Sequence, residues 1–167
     1  MSDSKNESRK GSIFVGTTVQ KFLAEAPPGQ KLLVDTDSSV LNLEGHREAN
    51  VYHLTRNSRY SAPDEIPTSG STNAGESGAA WDCSYALLTW LQAEERDGKL
   101  MEWLREMVVA PSSQVLDVLL SAFGGTGNGI FPRLRDLLAR QAGEKRVVFI
   151  HYLKIDSEKY SDRPDDS

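Results

Sequence analysis

One cysteine, Cys83, in 167 residues leaves no internal disulfide and no multi-cysteine metal site, and it points to a reducing compartment. His46, His53 and His151 have neither neighbouring cysteines nor helical spacing, so the sequence carries no metal-ligand pattern. Basic clusters are missing as well. With a net charge of −5 and a pI near 5.2, binding to nucleic acid or to an anionic membrane is not expected. No run of 18 apolar residues and no secretory leader is present, and the expected location is cytoplasmic.

What is present is 38% hydrophobic and 26% charged residues, the balance of a soluble globular protein with room for one core. Residues 1–10 and 157–167 are polar and read as disordered tails around a single domain over 11–156. Within it, Ile13 to Val15 reads as a strand, and Val19, Phe22 and Leu23 give the helical i, i+3, i+4 pattern, stopped at Pro27-Pro28-Gly29. Leu32-Leu33-Val34 has the continuous apolar character of a strand buried on both faces. Val40, Leu41 and Leu43 suggest a short segment, Asn50 to Leu54 a third strand, and Arg56 to Ser71 a long surface loop. A helix is predicted from Gly78 to Leu91 with Trp81, Tyr85, Leu88 and Leu91 on its inner face, and a second from Leu100 to Val108. Gln114 to Leu120 reads as a strand, Phe131 to Gln141 as a helix with Leu134, Leu137 and Leu138 inward, and Val147 to Leu153 as a last strand. This alternation predicts an α/β fold, a three-layer Rossmann-like parallel sheet with helices on both faces.

The densest signal is Gly124-Gly125-Thr126-Gly127-Asn128-Gly129, between a strand and a helix. Closely spaced glycines let an anion approach the backbone, and the amides of the following helix point at it with the positive end of the dipole. Thr126 and Asn128 add polar donors, Pro132 suits a first helical turn, and Arg133 is near enough to reach a phosphate. The run lacks the Lys-Ser/Thr ending of a P-loop and the spacing of a dinucleotide fingerprint. A bare strand-to-helix turn explains the same residues without a ligand. Ligands of such sheets sit beyond the carboxyl ends of the strands, where two further polar segments fall, Asp35-Thr36-Asp37 and Asn73 to Gly78. Asp35 and Thr36 are equally explained as local caps of a strand end.

Together these three segments resemble the tubulin and FtsZ family of guanine-nucleotide-binding proteins. Gly124 to Gly129 is similar to that family's GGGTGSG signature. Leu33 to Leu41 is similar to its VNTDAQAL segment, and Asn73-Ala74-Gly75-Glu76-Ser77-Gly78 to its third phosphate-side loop. The resemblance implies a nucleotide-binding half-domain, with GTP or GDP, and magnesium, held by Gly124, Gly125, Thr126, Gly127, Asn128, Gly129, Asn73, Ala74, Gly75, Asp35, Thr36 and Asp37. It implies association with itself or a protein partner, or with a chain supplying the missing second half, since hydrolysis in the family needs a second domain. Two departures stand out. The glycine-rich first loop is reduced to Gly16-Thr17-Thr18, and Phe123 takes the place of a third glycine. Both suit an alternative, a nucleotide-free interaction module that keeps the fold. A third reading is a cysteine hydrolase using Cys83, with His53 or His151 as base and Asp82 or Asp156 orienting it; a small buried residue on an amphipathic helix is the plainer account. Trp81 and Trp103 are expected to anchor helices to the sheet, and the apolar excess at Leu87, Trp90, Leu91, Leu100, Trp103 and Leu104 marks either a thick core or a partner surface.

Overall fold

The structure, a computed structural model, describes residues 11–26, 28–37, 40, 49–55, 59–61, 82–96, 98–109, 115–121, 124–142 and 147–153. The expected tails, the segment 41–48, Phe123 and Asn73, Ala74 and Gly75 lie outside these residues.

Five parallel strands form an α/β sheet: β1 (Gly11–Val15), β2 (Lys31–Asp35), β3 (Asn50–His53), β5 (Val115–Ser121) and β6 (Val147–Leu153). A sixth, β4 (Arg59–Ser61), runs antiparallel to β3 at the edge, and the order is β4-β3-β2-β1-β5-β6. The sheet is therefore not wholly parallel, and the segment predicted as loop from Arg56 contains a strand. Its three residues have no strand pattern of their own; pairing sets it, with Tyr52 opposite Tyr60 and the two rings stacked at 6.0 Å.

The apolar strands bury both faces, and the alternation sorts them. Ile13, Val15, Leu32, Val34, Leu116, Val118 and Leu120 join one cluster, beneath the helices α1 (Cys83–Arg96), α2 (Gly98–Val109) and α3 (Gly125–Ala142). Phe14, Leu33 and Val51 face the other way and are covered by Val19 and Leu23 of a 3-10 helix, Thr17–Glu25. Each such side chain taken fully from water contributes about 1.5–3 kcal/mol. Trp103 of α2 is buried edge-on to Tyr52 and Tyr60, an anchor of helix to sheet.

Three helices differ from expectation in instructive ways. On α1 the buried face is Ala86, Thr89, Trp90 and Ala93, while Leu88 and Leu91, predicted inward, are exposed. The inner position at Ala86 is small because α3 comes close there, since a Cβ on Gly129 would overlap the Cys83 carbonyl oxygen and lie 3.0 Å from the Ala86 Cβ, while Trp90 fills the inner face one turn further on. Helix α3 begins at Gly125 rather than Phe131, which puts Pro132 inside it instead of in its first turn. Pro132 has no amide to give the carbonyl of Asn128, a local cost accepted mid-helix. The third difference is the 3-10 winding of Thr17–Glu25, which its apolar spacing does not reveal. As predicted, Leu134, Leu137 and Leu138 of α3 are buried.

Candidate functional site

In the parallel part of the sheet, the chain moves outward from β1 to β2 and β3 in one direction, and to β5 and β6 in the other. The carboxyl ends of β1 and β5 flank the point where the order reverses, the place where open α/β sheets leave a crevice. Gly16 ends β1 there with φ 95°, a conformation suited to glycine, and its amide still donates to the Val34 carbonyl at 2.9 Å. The 3-10 helix starts at the next residue, so no glycine loop intervenes between β1 and its helix.

On the other side of the reversal, Ser121 ends β5 and α3 starts at Gly125. The first amides of α3 have no carbonyl of the helix behind them to receive them. Gly124 caps the turn through its carbonyl, which accepts from the Asn128 amide at 3.3 Å and from the Asn128 carboxamide at 2.8 Å. Thr126 packs above Gly16, where a Cβ would be 3.9 Å from that of Thr126. Its hydroxyl lies 2.7 Å from the Thr36 hydroxyl. That bond joins two of the segments singled out in the sequence.

Asp35 is the electrostatic centre of this end of the sheet. It is buried at the carboxyl end of β2, and Oδ2 accepts from the Thr17 hydroxyl at 2.7 Å and from the Gln20 amide nitrogen at 2.8 Å. Oδ1 accepts from the Asp37 backbone amide at 3.2 Å. Burial raises its pKa to about 6, while the bonds from Thr17 and from the amides of Asp37 and Thr36 pull it down. His53, at the end of β3, donates from Nε2 to the Thr36 carbonyl at 3.2 Å. Thr17 and Gln20 were not recognised as site residues in the sequence. Gln20 carried a usable signal, a polar residue between Val19 and Leu23 on the buried stripe.

Other expectations find different partners. Arg133, predicted near a phosphate, is held instead by Glu94 of α1, with Nε at 2.9 Å and Nη2 at 2.7 Å from its two oxygens; the hydrogen bonds and charge of Glu94 raise its pKa further. Glu94 also accepts from the Trp90 indole. Cys83 is exposed as the first residue of α1. Asp82 caps that helix, accepting from the Tyr85 amide at 3.0 Å, and is not the partner of either histidine. His151 pairs with Asp117 across β5 and β6 at 3.0 Å, and Asp156 lies outside the described residues.

Among the described residues, no three His, Cys, Asp or Glu side chains gather where they could hold a metal ion. Asp35, with both oxygens engaged, does not fit a direct ligand for magnesium. No helix among these residues is long and apolar enough to cross a membrane. Comparison with protein-family models, with curated proteins and with solved structures gives no match to the chain.

Proposed function

We propose that the chain is a nucleotide-binding α/β domain of the tubulin and FtsZ type, a Rossmann-like half-domain that holds the phosphates of GTP or GDP and acts through association with itself or a protein partner. The observation that carries this reading is a glycine content that folding does not demand. Gly124 and Gly127 have no positive φ, and a Cβ on either would meet only ordinary contacts, the nearest at 3.7 and 3.4 Å. Gly127 lies inside α3, where glycine costs about 1 kcal/mol against alanine. A glycine-rich start to α3 at the reversal point of the sheet is accounted for by something that approaches the backbone closely.

In this reading the amides of Gly125, Thr126 and Gly127 receive the phosphate oxygens, and Asp37 and Thr36 form the rim on the β2 side. Asn73, Ala74 and Gly75 would add a second set of amides. Magnesium, if it accompanies the nucleotide, would be held by the phosphates and water rather than by Asp35. Hydrolysis would require groups from a second chain.

A rival reading, an interaction module that has lost the nucleotide, is favoured by the direct passage from Gly16 into the 3-10 helix and by the Thr126 hydroxyl being bonded to Thr36. Thermal-shift titration separates the two. A ligand that binds only the folded state raises the melting temperature by mass action, about 2.7 kcal/mol at a hundredfold excess over Kd. The nucleotide reading expects a rise with GTP or GDP that is lost in Gly125→Val, each protein compared with its own unliganded melting point. No rise at millimolar nucleotide with the wild-type chain would overturn it in favour of the interaction module.

A further inference from the structure

Asp35 carries an acidic group into the interior, and among the described residues no cation balances it. Its carboxyl is buried and accepts hydrogen bonds from Thr17, Gln20 and the Asp37 amide, all of them uncharged donors. The elements packed around it bring few titratable groups. The 3-10 helix faces it with Thr17 and Gln20, while Glu25 is exposed and Lys21, also exposed, lies over the Phe22 ring. Gly16 after β1 and Thr126 of α3 are not titratable. On β3, His53 stands beside Asp35 in register and turns Nε2 to the Thr36 carbonyl. The charge that acts on Asp35 is that of Asp37, of the same sign, and it adds to burial in favouring the neutral carboxyl.

We propose that Asp35 gates the phosphate site by its protonation: with the carboxyl neutral the crevice takes the phosphates of the nucleotide, and with the carboxylate formed it repels them. The inference rests on the nucleotide reading above and names how that site is regulated. Its ground is placement. Thr36, the next residue along the chain, shares its hydroxyl bond with Thr126, the second residue of α3, and the amides around Thr126 are those given to the phosphates. One residue separates Cα atoms by about 3.8 Å, so the carboxyl lies roughly 10 Å from an anion held there. The 3-10 helix covers Asp35, and salt screens a covered charge far less than a surface one. At an effective dielectric constant of about 20, two like charges about 10 Å apart change affinity by about tenfold or more. The coupling is reciprocal, so the bound anion holds the proton on Asp35 by the same factor. In the unliganded chain the carboxyl titrates at about 6, raised first of all by burial. Nucleotide binding is therefore strongest below that pH and weakens above it.

The test is isothermal titration of the full chain with GDP, free of magnesium, between about pH 5 and about pH 7.5. Wild type and Asp35→Asn are compared at each pH, because the phosphates of GDP titrate as well and the ratio of the two affinities cancels that effect. Equal affinity is expected at about pH 5, and about tenfold or more tighter binding by Asp35→Asn at about pH 7.5. Repeating the titration in buffers of different ionisation enthalpy counts protons. Near pH 6.5 the wild-type chain is expected to take up more protons on binding than Asp35→Asn does. Thr17→Val keeps the carboxyl and removes a hydrogen bond that favours its ionised form, so its loss of affinity is expected at higher pH than in wild type. An affinity ratio that stays constant with pH, equal proton uptake by wild type and Asp35→Asn, or a Thr17→Val profile that is unmoved or moved to lower pH overturns the proposal. GDP that binds both proteins with no such difference removes the gate and leaves the nucleotide reading standing. GDP that binds neither at any pH removes both.

Discussion

The hydroxyls of Thr36 and Thr126, 90 residues apart in the chain, lie 2.7 Å from one another in the interior. They tie the carboxyl end of β2 to the first turn of α3 across the end of β1. Either Thr36→Val or Thr126→Val leaves the other hydroxyl buried without this partner, at a cost of about 1–3 kcal/mol. Removing both is expected to cost less than the sum, a coupling readable from urea midpoints in a double-mutant cycle. If the two losses simply add, the bond contributes nothing of its own.

Gly129→Ala and Gly98→Ala test the packing of the helical layer in opposite directions. At Gly129 the new methyl overlaps the backbone of α1, and α1 and α3 must separate, so a loss of about 1–3 kcal/mol is expected. At Gly98 the methyl has nothing within 4 Å, and stability is expected to hold or rise by up to about 1 kcal/mol. Thermal denaturation of the two variants gives the signs.

Asp35 gives stability a pH dependence whose sign follows from its raised pKa. Its acid form is the one the fold favours, since the pKa moves from an ordinary 3.8 to about 6 on burial. Between about pH 4 and 6 the folded chain binds more protons than the unfolded one, and this group's stabilising contribution is lost as pH rises through that window, by up to about 3 kcal/mol. Asp35→Asn has no such titration. Its stability relative to wild type, from urea midpoints, is expected to improve from pH 4 to pH 7; a difference that does not vary with pH would refute the assignment.

The Glu94 carboxylate serves two partners at once, the Arg133 guanidinium and the Trp90 indole. Glu94→Ala is expected to destabilise by about 1–3 kcal/mol, because a buried indole N–H and a cation both lose their acceptor. Arg133→Lys is expected to lose part of this, since a lysine cannot match the forked contact. Guanidinium denaturation followed by tryptophan fluorescence reports both variants.

Much of the fold could be read where chemistry is local and pattern is strong. Val147 to Leu153 was bounded correctly as a strand, and Leu32 to Val34 carried its burial in an unbroken apolar run. The inward leucines of α3 kept their period. What could not be read depended on distant neighbours. On α1 the leucines at 88 and 91 are exposed, and the inner face combines Ala86, small where Gly129 approaches, with the fully buried Trp90. The strand β4 exists through the pairing of Tyr60 with Tyr52. The partner of Arg133 sits 39 residues away on another helix, and sequence proximity to the glycine run suggested the wrong one. Of the candidate site, the two segments at 35–37 and 124–129 are visible in the sequence and do come together; Gln20 is marked only by its polar place between Val19 and Leu23, and Thr17 emerges only once the 3-10 helix is laid against β2.

The position of β1 has a kinetic side. Its partner on one side is β5, with Gly11 opposite Leu116, so that seam closes only after most of the described chain has been brought round. By contrast, β5, α3 and β6 are consecutive and can pair locally. Rates fall as contacts become less local, and the polar bridge from Thr36 to Thr126 spans this slow seam. In stopped-flow refolding, Thr126→Val is therefore expected to speed unfolding and leave the folding rate nearly unchanged, so the strand ends that carry the candidate site come together late and are the first part of the sheet to let go.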